Sequence, residues 1–225
     1  DLEMMLAWAF GGAMSLVGAL CFAEMAAAFP DPGGDYHFLR RALGARAGFL
    51  FAWSRFAVIH TGSMAMLAFV FGDYLGELLG LGPLGSSVLA AAAIVALAAL
   101  NLTGLRAGIG TQLGLMVIVF AGLLAVGLAG IVLAATGQSP LAPAGASAPP
   151  SAQLGTALVF VFLAYGGWSD AATLSAEMRD ARRGITRALV AGMAIVTALY
   201  LLANWAYLRG LGLAGVAASQ APAAD

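Results

Sequence analysis

The sequence has no lysine, a single cysteine (Cys21) and very few charges of either sign: ten arginines and eleven acidic residues in 225, or 9% charged. Ordinary globular domains carry roughly 25%, so water is not the main solvent of this chain. The near-cancelling charge, net −1, excludes the basic footprint of a nucleic-acid binder. One cysteine excludes an internal disulfide framework and a cysteine metal cluster. No other histidine or carboxylate stands at ligand spacing near His60 on its helix, and none of these patterns asks for a cofactor. Residue 1 is Asp and an apolar pattern is already running at Leu2. The first apolar run is too long for a signal peptide, and the chain reads as a fragment.

What is present is apolar: 62% of the residues are hydrophobic. A bilayer crossing needs about 20 apolar residues in a helix. Six such spans are expected, at about 2–29, 49–79, 86–102, 109–135, 154–177 and 185–208, in one transmembrane domain over 1–225. Pro30-Asp31-Pro32-Gly33-Gly34 breaks the pattern after the first. TGQSPLAPAGASAPPSAQ, residues 136 to 153, reads as a loop between the fourth and fifth. The fold class is therefore all-α and polytopic, with the lipid bilayer as the principal environment. Arginine placement supports the count. Arg40, Arg41 and Arg46 follow span one, Arg106 follows span three, and Arg179, Arg182, Arg183 and Arg187 follow span five. The loops after spans two and four contain no arginine. Eight of the ten thus lie on one side, which is assigned to the cytoplasm.

Polar residues inside a span are costly and so informative. Arg55, in the second span, either reaches back to the interface or joins a gate network with Glu24 or Asp170. Glu24 near the end of span one pairs with Arg40 or Arg41 on the simpler reading. His60 either packs or relays protons. Asp170 and Glu177 are seven apart on one helix face, with Arg179, Arg182 and Arg183 nearby for an ion-pair cluster. The most informative stretch is Leu163-Ala164-Tyr165-Gly166-Gly167-Trp168-Ser169-Asp170. Adjacent glycines weaken a helix by about 1 kcal/mol each. Either they only allow close packing, or the helix breaks and turns its freed backbone and half-helix ends toward a ligand.

SLVGALCFAEMAAAFPDPGGDYHFLRRALG (15 to 44) resembles the second helix and following loop of the amino acid–polyamine–organocation permeases. The matching residues are Gly18-Ala19-Leu20, Ala23-Glu24, Pro30, Gly33-Gly34-Asp35-Tyr36 and Arg40. AYGGWSDAATLSAEMRDARRGITRAL (164 to 189) is similar to that family's sixth helix and the loop after it, and TGSMA (61 to 65) to its third. The resemblance implies a partial LeuT-like inverted-repeat fold with six transmembrane helices, family helices 2 to 7. It also implies alternating-access secondary transport of amino acids in a bacterial inner (plasma) membrane. Carried over, the substrate site would use carbonyls near Leu163 and Gly166 for the ammonium, with Tyr165, Gly167, Trp168 and Ser169 beside them. Ile59, Ser63 and Leu67, on one helix face, and Met66 would line it. Glu24, Arg55 and Asp170 remain gate or ion-pair candidates. Leu163 replaces the family's frequent aromatic lid, and Ser169 a frequent Asn of its exchanger branch. The family's helix-five lysine has no counterpart near Val119 and Phe120, so sodium coupling, proton coupling and ion-free exchange are all open. No catalytic or metal residues are expected. Competing classes are an intramembrane enzyme using His60, Ser63 or Asp170, and a non-transporting assembly subunit. Sequence leaves the oligomeric state open.

Overall fold

The computed structural model describes residues 2–137, 154–177 and 181–219, nearly all of them helix or tight turn. In chain order these are α1 (Leu2–Ala28), α2 (Asp35–Leu43), α3 (Ala45–Ser54), a π-helical segment (Arg55–His60), α4 (Thr61–Leu78), α5 (Pro83–Leu102), α6 (Leu105–Thr136), α7 (Leu154–Ala164), a 3₁₀ segment (Trp168–Glu177), α8 (Ala181–Gly210) and α9 (Gly212–Ala218). Five described helices are long and apolar enough to cross a membrane: Leu2–Ala28, Ala45–Leu78, Pro83–Leu102, Arg106–Thr136 and Arg183–Gly210. The fifth expected span, 154–177, is not one helix. It divides into the eleven residues of α7 and the ten of the 3₁₀ segment. At 1.5 Å per residue α7 is about 16 Å long, half a hydrocarbon core of about 30 Å.

Three boundaries differ from the sequence pattern for local reasons. The loop after α1 contains α2, opened by a turn in which the Asp31 carboxylate accepts the Gly33 N–H (2.7 Å) and meets His37 Nδ1 (3.1 Å). Arg41, at the end of α2, places its guanidinium over the Phe29 ring (4.3 Å). α5 starts at Pro83, since proline lacks only an N–H that a first turn leaves unpaired anyway. α6 runs from Leu105 straight through Gly108 and Gly110, which alone do not stop a helix in apolar surroundings. The uncharged loop after α6 lies mostly outside the described residues, as do Arg179 and part of the ion-pair cluster expected around it.

The chain divides into two compact units. The first comprises Asp1–Phe51 and Leu124–Ser219. Its centre is α1 laid along α8: small α1 residues Ala19, Ala23 and Ala26 face Ile185, Leu189 and Met193, four apart on α8, with Val161 and Tyr165 of span five completing the core. Small residues allow close helix approach where lipid removes the hydrophobic drive for association. The second unit is built on Ala52–Leu123. There α4 packs on α5 through Gly72 and Gly76, both against Ser86. Large apolar side chains such as Phe69, Val95, Val117 and Ile118 stay exposed, as expected of surface that lipid solvates.

Candidate functional site

The helix of span five stops where its two glycines stand. Tyr165 N–H still reaches the Val161 carbonyl (3.0 Å), the α-helical bond. Gly166 N–H instead reaches Leu163 (3.1 Å), three residues back, and Asp170 N–H reaches Gly167 (3.1 Å) to start the 3₁₀ segment. The Tyr165 and Gly166 carbonyls lie between these bonds. Gly167 has φ 93°, a left-handed conformation that costs a side-chain-bearing residue roughly 1–2 kcal/mol. A change of backbone hand inside an apolar stretch needs outside support, because lipid offers no hydrogen bonds.

That support comes from α1 and α8. Tyr165 is only 2% exposed, and its hydroxyl donates to the Trp8 carbonyl of α1 (3.1 Å). The Tyr200 hydroxyl of α8 donates to the Ala164 carbonyl (3.1 Å), one of the acceptors released at the end of α7. The rings of Trp8, Tyr165 and Tyr200 form a triad with centroids 5.2–5.8 Å apart, tilted or edge to face. Such pairs contribute about 0.5–1.5 kcal/mol each beyond their buried area. On the far side of the break Trp168 stands edge to face against Phe22 (5.1 Å), which in turn meets Phe38 of α2 (6.4 Å).

Glycines of α1 make room for these anchors. A Cβ on Gly12 would lie 2.6 Å from Thr197 Oγ1 and 3.0 Å from the Tyr165 hydroxyl, and one on Gly18 would lie 2.8 Å from the Trp168 ring. The residues flanking the break are thus held in sockets, while Gly166 and Gly167 themselves are exposed. Leu163 is also exposed, Ser169 half-buried, and Asp170 exposed at the start of the 3₁₀ segment. Glu24 is exposed near the end of α1.

The helix-three candidates belong to the second unit. Ile59 lies in the π-helical segment, and Ser63, Met66 and Leu67 lie in the first two turns of α4; all four are exposed. Arg55, half-buried, begins the π segment, and its Nε–H donates to His60 Nε2 (2.8 Å). The structure therefore brings Leu163, Tyr165, Gly166, Gly167, Trp168, Ser169 and Asp170 together at the break, and groups Arg55, Ile59, Ser63, Met66 and Leu67 on one interrupted helix. Among the described residues no group of three or more His, Cys, Asp or Glu could hold a metal ion.

Sequence reasoning missed Trp8, Gly12, Thr197 and Tyr200. A released carbonyl demands a donor, but nothing local names a tyrosine 36 residues later. The Gly11-Gly12 pair in α1 was a weaker signal of a socket.

Comparison with known proteins places the chain. A family model described as amino acid permease matches residues 3–224. The chain is 29% identical over 218 residues to the serine/threonine exchanger SteT of Bacillus subtilis, covering 93% of this chain and 47% of that protein. It is 28% identical to the human Asc-type amino acid transporter 1, covering 91% and 41%. It is also 28% identical to the human b(0,+)-type amino acid transporter 1, covering 97% and 46%. The chain spans less than half the length of these relatives. They are transporters rather than enzymes, and with the apolar helices they make this a multi-pass protein of the plasma membrane.

Proposed function

From the premise that this chain belongs to the amino acid permease family, we propose that it forms the central part of a secondary transporter that moves amino acids by alternating access. The interrupted helix at Tyr165–Gly167 carries the reading. An α-amino acid is a paired cation and anion, and membrane sites for such molecules use broken helices, whose exposed carbonyls and half-helix ends supply partial charge without ionised side chains. On this reading the Tyr165 and Gly166 carbonyls accept the substrate ammonium, with the Leu163 carbonyl, already bonded to the Gly166 N–H, beside them. Trp168 and Ser169 flank them. The absence of a second acid beside Asp170 in the 163–170 stretch favours a small neutral substrate, the class that serine and threonine represent for the Bacillus relative.

Tyr165 and Trp168, held on either side of the glycines, leave Gly166 and Gly167 as the pivot between α7 and the 3₁₀ segment. Substrate binding at the pivot would bias outward- and inward-open states by its differential affinity for them. No bond is made or broken, and no organic cofactor enters. A bacterial inner membrane is the setting, and exchange, as in the name of the Bacillus relative, is the mode to test first. The alternative of an intramembrane enzyme using His60 and Ser63 is weakened because His60 Nε2 already accepts the Arg55 N–H.

The test is counterflow. Full-length protein in liposomes preloaded with serine should accumulate external labelled serine or threonine, and unloaded liposomes should not. Equal, low accumulation in both across neutral amino acids would remove the exchange reading. Turnover of a membrane ester or peptide without counterflow would replace it with the enzyme.

A further inference from the structure

The corner between α2 and α3 lies within the first unit and joins spans one and two on the face that arginine placement assigns to the cytoplasm. Gly44, with φ 90°, ends α2, and its N–H reaches the Arg40 carbonyl (3.0 Å). α3 then runs so close that a Cβ on Gly48 would lie 3.0 Å from Arg40 Cβ and 3.3 Å from the Tyr36 ring. Phe38 fixes α2 from beneath: it meets Phe22 edge to face (6.4 Å) and packs on the core of α1 and α8. What the corner leaves exposed is of two kinds. Arg40, Arg41 and Arg46 are exposed, and so are the apolar side chains of Leu43, Phe49 and Leu50, at 62–70%.

We propose that this corner binds the headgroup of an anionic phospholipid of the cytoplasmic leaflet. A guanidinium presents a planar fork of N–H donors that fits phosphate oxygens. Apolar side chains beside such cations match the level at which acyl chains give way to headgroups. A soluble anion would satisfy the arginines and leave Leu43, Phe49 and Leu50 in water, whereas a lipid covers both.

The arginines keep their charge for such a ligand. Among the described residues no carboxylate lies within ion-pair distance of Arg40, Arg41 or Arg46. Arg41 is placed instead by the Phe29 ring, 4.3 Å from its guanidinium carbon, which holds it at the cytoplasmic end of span one. Glu24, the partner that the sequence offers, is exposed near the end of α1. Asp31 is engaged by the Gly33 N–H and His37, and Asp35 stands at the opposite end of α2 from Arg40 and Arg41. The last turn of α2 adds only the partial negative charge of its carbonyls.

Native mass spectrometry of the detergent-purified full-length protein, titrated with phosphatidylglycerol or with phosphatidylcholine, tests the site. Phosphatidylglycerol should bind at least about tenfold more tightly, given three arginines near an anionic surface. R41Q or R46Q alone should weaken its binding about fivefold, the equivalent of about 1 kcal/mol per arginine. R40Q, R41Q and R46Q together should bring it to the level of phosphatidylcholine. R106Q removes an exposed arginine of the same cytoplasmic side in the second unit, and should leave binding unchanged. Inorganic phosphate at the lipid's concentration should not displace it. Equal affinity for the two lipids, displacement by phosphate, or equal losses in R46Q and R106Q would each overturn the proposal. Thermal unfolding shows whether each variant is folded, and the single substitutions decide the matter if the triple variant is not. Lipid binding does not depend on transport: a protein without counterflow can pass this test, and a working exchanger can fail it.

Discussion

Two spans of this molecule leave the α-helical ladder, and they do so in opposite senses. Span two loosens to i→i+5 bonding over Arg55–His60 and continues as one rod of 34 residues. Span five tightens to i→i+3 bonding, changes hand at Gly167 and resumes as a 3₁₀ segment. The side-chain hydrogen bonds described at the two sites differ as well. In span two the donors come from the same helix: Thr61 to Phe56, and Arg55 to His60. In span five they join helices far apart in sequence, Tyr165 to Trp8 and Tyr200 to Ala164, with Gly12 and Gly18 providing sockets. A local interruption can be carried by a single helix. A break that changes the hand of the backbone inside an apolar span needs a scaffold on both sides.

The comparison predicts that span five fails through its neighbours as well as through itself. The largest effect belongs to the pivot. Gly166→Ala with Gly167→Ala should abolish uptake by whole cells, at least about a hundredfold, while expression is retained, because a misplaced site costs that much. Unchanged uptake would remove the pivot. Next is the socket. Gly12→Val puts methyl groups into Thr197 and the Tyr165 hydroxyl, and overpacking of this kind costs about 1–3 kcal/mol. Thermal unfolding of the purified protein should report the loss, whereas a valine at Gly62, which has open space around it, should cost less than about 1 kcal/mol through packing. Equal losses would erase the distinction between a scaffolded and a self-supported interruption. The smallest effect is that of Tyr200→Phe. It keeps the ring triad and removes the donor to Ala164, so the stability loss should be about 0.6 kcal/mol, the average for hydrogen bonds between membrane helices.

Much of the fold was legible because apolar runs of bilayer length leave few options, and because arginine follows alternate spans. The family was legible from Gly18-Ala19-Leu20 and Pro30 through Arg40, together with the 164–189 stretch. The interruption at Gly166-Gly167 was legible as one of two readings, since glycine loosens a helix but does not say whether a neighbour then holds it open. Other features had no local signal. Arg55–His60 at five-residue spacing conflicts with α periodicity, and so reads as two isolated polar residues until the π turn joins them. α2 hides in a loop rich in glycine and charge. The roles of Trp8 and Tyr200 arise from contacts spanning 157 and 36 residues, and no window along the chain contains them.

Hydrogen exchange across 163–170 in the full-length protein, with and without substrate, tests the central claim most directly. The account predicts fast exchange at Gly166–Ser169 in the free protein, faster than in α4, and slowing on addition of a transported amino acid. The matching α-hydroxy acid, which lacks the ammonium, should leave that exchange unchanged. Slow, helix-like exchange without substrate, or equal protection by the hydroxy acid, would contradict an open backbone that receives an amine.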